Sequence, residues 1–450
     1  MTIQTTLRRI FVVSTILAAL IASAPVLAST KPHTGDGRSL DPNTRFYVPP
    51  PNRDAIRQIA QLISSHHFAD ALLIGKMIAT PQAVWFTKGT PKSVKQDVKT
   101  TVKLASAQHA VPVLVAYNIP FRDCAQFSAG GATTAQEYKA WIDAFAAGIG
   151  NSKAVVILEP DGLGIIPWYD PYGSADGSSA LDWCQPAEAN PATAAADRFA
   201  LMNYAVDALK ARPNVSVYLD GTHSAWLGSG DAAQRLIQAG VERADGFYLN
   251  VSNYQFTANG VHYGTWVSSC IAYATTVNPG DFVGCPNQYW NGGPLPAKIA
   301  QLLGEWTGVA LSPYGEWSDN TNTPNLNTSG INLRYANMLG ATQPTTHFVV
   351  DMSRNGVGPW QPPAYPDPQD WCNPPGRGLG LRPTANTGKP LVDAYLWVKI
   401  PGESDGECTR GLGPAGTTVD PEWGRIDPPA GKWFPEMALD LVHNANPPLH

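Results

Sequence analysis

Seven short apolar runs constrain the fold of this chain more than any other feature. They alternate with segments whose apolar residues recur at helical spacing, which is typical of a parallel sheet. The predicted strands are 80–86, 111–117, 154–159, 215–220, 246–250, 347–351 and 393–399. The predicted helices are 54–64, 93–108, 134–147, 193–211, 231–239, 295–305, 331–339 and 434–444. We therefore predict an α/β fold, a distorted TIM-like (β/α) barrel of seven parallel strands. A doubly wound sheet is the main competitor, but no GxGxxG follows a strand.

The first 28 residues are predicted to be a secretory signal peptide. Arg8 and Arg9 precede an apolar run, and Val26-Leu27-Ala28 fits a small-residue cleavage site. A membrane anchor is the alternative, but the run is short and interrupted by polar residues and proline. Residues 29–50 are predicted to be a flexible lead-in, and residues 51–450 a single barrel domain. We expect a secreted protein with no membrane contact after cleavage.

The composition favours an extracellular protein with long ordered loops. Charged residues make up 15% of the chain, whereas it contains 41 glycines, 40 prolines and 14 tryptophans. Long loops are predicted at 162–192, 251–294, 306–329, 352–392 and 400–432. The net charge of −5 argues against nucleic acid or an anionic membrane as a partner. Tryptophans in loops suit stacking on sugar faces, although most tryptophans lie in cores.

Six cysteines in a secreted chain predict three disulfides. Six cysteines allow about 15 pairings, and at this level the choice among them stays open. No CxxC or HExxH spacing is present, so neither a metal site nor a cofactor is predicted.

Polar residues follow six of the seven predicted strands at the same end. The third strand breaks at Pro160, which has no N–H to donate, so Asp161 comes just past the strand end. The second strand leads in the same way to Arg122 and Asp123. The polar residues after the other strands are Asp220 and His223, Asn250 and Asn253, Asp351 and Arg354, and Lys399, Glu403 and Asp405. One such cluster is explained by a cap or a salt bridge. Six at one end of a barrel predict an active site on that face.

Two carboxylates after successive strands predict acid–base chemistry on a neutral substrate. Hydrolysis of a glycosidic bond needs one carboxylic acid to protonate the leaving oxygen and a second carboxylate as nucleophile or water activator. Asp123 and Asp161 fit this pattern, because a neighbouring carboxylate raises the pKa of a catalytic acid. Arg122 belongs to this site, forms a structural ion pair, or does both. A Ser-His-Asp site is disfavoured because GxSxG is absent, and His223 is expected to position other groups.

Two motifs carry a resemblance to glycoside hydrolase family 6. The first is Val115-Ala116-Tyr117-Asn118-Ile119-Pro120-Phe121-Arg122-Asp123-Cys124 with Gly130-Gly131 downstream, and the second is Leu158-Glu159-Pro160-Asp161. Further similar segments are 218–226, 250–254, 351–356, 371–373 and 397–406. The resemblance covers residues 50–446, and two independent motifs make it specific.

The resemblance implies a cellulase that cleaves β-1,4-glucans with inversion on a distorted parallel barrel. It implies that Asp161 is the general acid, that Asp123 tunes Asp161 and helps hold the water, and that Asp405 is the base. An inverting pair needs carboxyl groups about 6.5–9.5 Å apart. Tyr117 would lie beside the distorted sugar.

Eight residues are predicted to bind the substrate, namely Trp85, Ser128, His223, Trp226, Asn250, Trp371, Lys399 and Glu403. Five of them, Trp85, Trp226, Trp371, Lys399 and Glu403, match glucosyl-subsite positions of the family. The family often has a serine five residues after the cysteine of the first motif, where it contacts the water chain. This chain has Ala129 there, so the neighbouring Ser128 takes the assignment.

The resemblance also implies a disulfide pattern. Cys124 with Cys184, and Cys372 with Cys408, match the two bridges of the family. Cys270 and Cys285 lie outside that pattern and are left to pair with each other.

We expect a secreted, monomeric, inverting endo-β-1,4-glucanase whose partner is a β-1,4-glucan. A cellobiohydrolase is the alternative, because relatives of that kind roof the cleft with two long loops. The first loop is compact here, at 125–133, whereas the loop after Asp405 is long. A non-catalytic glucan-binding protein is disfavoured because Asp123, Asp161 and Asp405 are all present.

Overall fold

Seven parallel strands, arranged in chain order, form the central sheet. The computed structural model describes residues 40–124, 126–170, 184–289 and 310–449. The strands are β1 (Val84–Phe86), β2 (Val113–Ala116), β3 (Ala154–Leu158), β4 (Val215–Asp220), β5 (Gly246–Leu249), β6 (Phe348–Asp351) and β7 (Val392–Leu396). The sheet curls, and a 2.9 Å hydrogen bond from the N–H of Ala83 to the carbonyl of Trp397 joins its two edges. The predicted distorted barrel of seven parallel strands is confirmed.

Nine helices surround the sheet within the described ranges. They are α1 (Arg53–Ser64), α2 (Phe68–Ile78), α3 (Pro91–Ala107), α4 (Ala135–Ile149), α5 (Ala194–Lys210), α6 (Ser229–Gln238), α7 (Thr257–Ala272), α8 (Ser329–Leu339) and α9 (Pro435–His443). Seven of them match predicted helices within two residues at each end. The predicted helix 295–305 lies outside the described residues. None of the helices in the described part of the chain has the length and apolar character needed to cross a membrane.

The sequence patterns missed two helices. Helix α2 was not predicted, because its sequence FADALLIGKMI is apolar on most sides and shows little amphipathic periodicity. The prediction of a loop over 251–294 was wrong, because α7 and a π-helical turn at Tyr273–Val277 lie within it. Gly260 and Gly264 lower the helical propensity of α7. Packing requires the second of them, since a Cβ on Gly264 would lie 2.4 Å from the ring of Phe348.

Residues 40–50 are not the flexible lead-in that their polar, proline-rich sequence predicted. Phe46 and Tyr47 are buried, and Phe46 pairs with Val111 beside the start of β2. The side-chain amide of Gln108 accepts from the N–H of Val48 at 3.1 Å and donates to its carbonyl at 2.9 Å. The two buried aromatic side chains and the two hydrogen bonds to Gln108 hold the segment against the barrel. The predicted signal peptide and residues 29–39 lie outside the described residues.

Side chains on the strands fill both faces of the sheet. In β3, Val155 and Ile157 belong to the cluster inside the barrel, whereas Val156 and Leu158 pack against the helices. This alternation follows from the two-residue period of a strand. Because the interior is occupied, a ligand finds room above the carboxyl ends of the strands.

Candidate active site

The chain leaves several strands through left-handed backbone conformations that side-chain-bearing residues rarely adopt. After β3, Glu159 has φ 52° and Asp161 has φ 61°. Thr222 after β4 has φ 59°, and Asn250 after β5 has φ 67°. Such conformations cost about 1–3 kcal/mol each and cluster at functional sites. Their concentration at one edge of the sheet points to that edge as the site.

A cavity of about 370 Å³ lies above the carboxyl ends of the strands. Ten of the twelve residues predicted for catalysis and sugar binding line it. They are Trp85, Tyr117, Asp123, Ser128, Asp161, His223, Trp226, Trp371, Lys399 and Asp405. Asn250 and Glu403 do not line this cavity. The fold thus gathers residues from a segment of more than 300 positions into one space.

Asp161 is a half-buried residue whose carboxyl group lines this cavity. Burial and the negative charge of Asp123 raise the pKa of Asp161 well above its usual value, and Asp220 and Asp405 act in the same direction. The protonated form therefore persists to higher pH than in an ordinary aspartate. A buried carboxylic acid with an accessible face is able to donate a proton.

Asp123 is the neighbouring carboxylate. Burial raises its pKa to about 6, against the N–H of Ser128, which donates to its Oδ2 at 2.7 Å and lowers the pKa. With a pKa of about 6, Asp123 is largely ionised at neutral pH, and its charge favours the protonated form of Asp161. The two carboxyl groups titrate as a pair that shares one proton, as the charge on one opposes ionisation of the other.

Two buried side chains that were not among the predicted catalytic and sugar-binding residues support the loop of Asp161. Asp220, at the end of β4, accepts from the N–H groups of Leu163 and Gly164 at 3.1 Å each. Arg198 on α5 donates to the carbonyls of Gly162 at 2.7 Å and Pro120 at 2.8 Å. Arg198 therefore joins the loop of Asp161 to the loop of Asp123. Its sequence position in the middle of a helix carried no signal of this role.

Arg122 braces the first loop through backbone contacts. Its guanidinium donates to the carbonyls of Tyr117 at 2.6 Å, Thr87 at 2.8 Å and Ser128 at 3.0 Å. It also lies 4.4 Å from the centre of the Tyr117 ring. These contacts favour the loop-holding role over an ion pair with a carboxylate.

Asp405 is held as a carboxylate by positive and neutral donors. Its Oδ2 accepts from Arg354 at 2.9 Å, from the hydroxyl of Tyr254 at 3.0 Å and from the N–H of Asn373 at 3.0 Å. Lys399 lies 3.2 Å from its Oδ1. Burial opposes ionisation, but Arg354 and Lys399 outweigh it and lower the pKa of Asp405 below its usual value. The cavity thus contains one carboxyl group whose pKa is raised, that of Asp161, and one whose pKa is lowered, that of Asp405.

Aromatic side chains form walls of the cavity. Trp85 donates to the carbonyl of Val398 at 2.8 Å and meets Tyr117 edge-on at 5.4 Å between ring centres. Trp226 lies on the backbone of Gly164, where an added Cβ would be 2.5 Å from the indole ring. Trp85, Trp226 and Trp371 are half-buried, so each exposes part of its ring to the cavity. Partly exposed indole rings suit stacking on the apolar faces of sugars.

The remaining predicted residues have distinct surroundings. Burial lowers the pKa of His223 to about 3, so its ring is neutral, and its Nδ1 accepts from the N–H of Ala225 at 3.2 Å. Asn250 is only 2% exposed, and its amide donates to the carbonyl of Asp351 and accepts from the N–H of Gln255. Asn250 therefore holds the backbone beneath the cavity, and the structure does not place it where a sugar would touch it.

Glu403 lies in an adjoining cavity of about 710 Å³. Its Oε1 accepts from the amide of Asn52 at 3.0 Å. The two cavities share four lining residues, namely Trp85, Tyr117, Ser128 and Lys399. The two cavities are therefore neighbours that meet at these side chains.

Three disulfides join the six cysteines, two in the pairs that the resemblance implied and the third in the pair left by elimination. They are Cys124–Cys184, Cys372–Cys408 and Cys270–Cys285. Two of them end beside the cavity, because Cys124 follows Asp123 and Cys408 follows Asp405 by three residues. These two bridges tether the loops that carry the carboxylates.

Comparison with known proteins gives a consistent result. The model of the family described as "Glycosyl hydrolases family 6" matches residues 41–445. "Endoglucanase A" of Thermobispora bispora is 30% identical over 439 residues, 97% of this chain and 70% of that protein. A "Probable 1,4-beta-D-glucan cellobiohydrolase C" of Aspergillus terreus is 30% identical over 394 residues, 82% of this chain and 67% of that protein. Among solved structures, the endoglucanase Cel6 from Mycobacterium tuberculosis, in complex with methyl-cellobiosyl-4-deoxy-4-thio-β-D-cellobioside, has a TM-score of 0.58 and 31% identity. That match covers 90% of this chain and 99% of the other.

Proposed function

The chain belongs to the glycosyl hydrolases of family 6 and is a cellulase, and from this premise we propose that it is a secreted, inverting endo-β-1,4-glucanase. The observation that carries the proposal is the presence, in one tryptophan-lined cavity, of Asp161, whose pKa is raised, and Asp405, whose pKa is lowered. The related Mycobacterium tuberculosis enzyme binds a thio-linked cellooligosaccharide, which supports a β-1,4-glucan as substrate. Three disulfides fit an extracellular location.

In the proposed mechanism, Asp161 donates its proton to the glycosidic oxygen as the C1–O bond breaks. A water molecule attacks C1 from the opposite face, and its proton passes to a carboxylate, for which Asp405 is the candidate. The low pKa of Asp405 makes it a weak base. A weak base is sufficient, since water that adds to an oxocarbenium-like carbon loses its proton readily. Inversion would be tested by following the anomer of the first product by NMR.

The negative charge of Asp123 is expected to set the pH range of activity. Asp123→Asn removes a charge that raises the pKa of Asp161, so that pKa should fall. The acid is active when protonated, and activity is lost as pH rises through its pKa. The alkaline limb of kcat/KM on carboxymethyl cellulose should therefore move down by about one pH unit or more. An alkaline limb that stays in place would mean that Asp123 does not tune the acid.

Two features of the cavity walls support internal cleavage. The loop after Asp123 folds back on itself, since Arg122 pairs with Gly130 and the N–H of Ala132 donates to the carbonyl of Asn118 at 2.9 Å. Segment 406–432 is described throughout, and none of its residues lines the cavity of Asp161. Two residues of this segment, Ala430 and Gly431, line the adjoining cavity instead, so neither loop roofs the cavity of Asp161. The adjoining cavity, which is also lined by Lys399 and Glu403, offers further room for a polymer on that side.

One contact favours the cellobiohydrolase alternative. Phe127 packs against Gly406, where an added Cβ would lie 2.4 Å from it, and its ring centre is 6.0 Å from that of Trp371. The two loops that flank Asp123 and Asp405 therefore touch through one aromatic side chain. If this contact closed over a bound glucan, the glucan would have to enter the cleft from one of its ends, as in a cellobiohydrolase.

The mode of attack is tested by viscosity against reducing ends on carboxymethyl cellulose. We expect viscosity to fall before many reducing ends form, because internal cuts shorten the polymer early. Phe127→Ala is the matched variant, and it should leave this ratio nearly unchanged if the cleft is already open. Cellobiose released from the first minutes at nearly constant viscosity would contradict the endo assignment. A Phe127→Ala variant that then gained internal cuts would identify Phe127 as the closing contact.

A further inference from the structure

A second buried carboxyl cluster lies behind Asp405 and is not used in the mechanism above. Its centre is Asn373, which is fully buried and has φ 41°. The N–H of Asn373 donates to Asp405 Oδ2 at 3.0 Å, and its side-chain Oδ1 accepts from the N–H of Asp405 at 2.7 Å. Asn373 therefore forms hydrogen bonds with both the side chain and the backbone of Asp405.

The amide of Asn373 is held in turn by Asp427. Asn373 Nδ2 donates to Asp427 Oδ2 at 2.8 Å, and to Gly406 O and Ser404 Oγ at 2.9 and 3.0 Å. The bond to Asp427 is the shortest of the three. Asp427 is 2% exposed, and its other oxygen has no hydrogen-bond partner among the described residues.

Asp427 has a second carboxylate as its neighbour. Oxygens of Asp427 and Asp420 lie within 4.8 Å of each other. Asp420 is paired with the buried Arg410 at 2.7 Å, and Arg410 also donates to the carbonyls of Cys372 and Asn373. Asp427 thus has a neighbouring carboxylate whose guanidinium partner, Arg410, also contacts the segment that presents Asn373.

We propose that Asp427 is a positioning residue for Asp405 and acts through Asn373. Asp427 does not reach the cavity, so it has no direct part in the reaction. Asp427 holds the side-chain amide of Asn373 in place. Asn373 is thereby oriented so that its backbone N–H donates to Asp405. The proposal rests on the proposed role of Asp405 as the ionised carboxylate of the site.

The surroundings of Asp427 make this support sensitive to pH. Burial raises the pKa of Asp427 to about 7, and the charge of Asp420 adds to this, whereas Asn373 and Arg410 act in the opposite direction. Below that pH, the proton of Asp427 can bridge to Asp420. Above that pH, the two buried carboxylates of Asp427 and Asp420 repel each other, and the guanidinium of Arg410 opposes this repulsion. We expect this repulsion to displace Asn373 and to weaken its hydrogen bonds to Asp405.

The test compares Asp427→Ala with Asp427→Asn, and Glu422→Gln serves as a carboxyl-to-amide control on the same loop. Alanine removes the acceptor for Asn373, so kcat on carboxymethyl cellulose should fall about 10-fold with KM nearly unchanged. Asparagine keeps that acceptor and mimics the protonated acid by donating to Asp420. Its kcat at pH 5–6 should stay near that of the wild type, and its alkaline limb should move to higher pH, where Asp161 alone sets it.

The outcomes separate this proposal from the proposed function. Wild-type release of reducing sugar from the soluble glucan is measured first, and its absence would refute the function itself. With an active wild type, an Asp427→Ala variant of unchanged kcat would overturn the positioning role. So would an Asp427→Asn variant whose alkaline limb coincides with that of the wild type. Because Asp427→Asn preserves the hydrogen bonds, the test holds even if the alanine variant does not fold.

Discussion

Asp161→Asn is expected to lower kcat on unactivated β-1,4-glucans by about 10²–10⁴-fold. Asparagine keeps the shape of the side chain but has no acidic proton for the glycosidic oxygen. The structure supports this effect because burial and nearby carboxylates raise the pKa of Asp161, which favours the protonated form that a general acid requires. The measurement is the initial rate of reducing-sugar release from carboxymethyl cellulose.

The control for this variant is a substrate that needs no proton. A cellooligosaccharide with a dinitrophenyl leaving group should lose much less activity, because the leaving group departs as a stable anion. Asp97→Asn, on the exposed face of α3, is the matched variant and should behave as the wild type. Equal losses on the activated and unactivated substrates would rule out Asp161 as the general acid.

Arg198→Met is expected to lower both stability and activity. Arg198 is buried, and its guanidinium donates to the carbonyls of Gly162, Ile165 and Pro120 at 2.7, 2.9 and 2.8 Å. Burial lowers its pKa to about 10, so it remains charged at neutral pH. Methionine has a similar length but leaves these carbonyls unpaired, at a cost of about 1–3 kcal/mol each where water does not replace the donor. We expect Tm to fall by about 3–6 °C.

The loss of activity should exceed what the stability change explains. Arg198 joins the loops of Asp123 and Asp161, and a displacement of about 1 Å at the reacting groups can cost roughly 10²-fold in rate. kcat is therefore measured well below the Tm of the variant. Arg198→Lys keeps the charge with fewer donors and should give an intermediate rate. A lower Tm with wild-type kcat would limit Arg198 to a structural role.

The sequence predicted the fold well where the pattern is local. Each strand is a buried apolar run of a few residues, so hydrophobicity identified all seven strands. Because parallel strands place their carboxyl ends at one edge, Asp123 and Asp161 could be assigned to one face. Helix α7 was missed for the opposite reason, since its helical state depends on packing against β6 and its own residues are poor helix formers.

The sequence by itself determined the barrel, the edge that carries the site and the residue types that face the substrate. These depend on periodicity and turn residues within a few positions of one another. The tertiary structure decided which carboxyl group has a raised pKa, Asp161, and which has a lowered one, Asp405. That choice depends on burial and on charges such as Arg354 and Lys399, which become neighbours of Asp405 only on folding. It also decided the supports, because Arg198 and Pro120 are 78 positions apart, and Asn373 and Asp427 are 54 apart. Electrostatic effects act over a few ångströms in space, and distance along the chain does not reveal them.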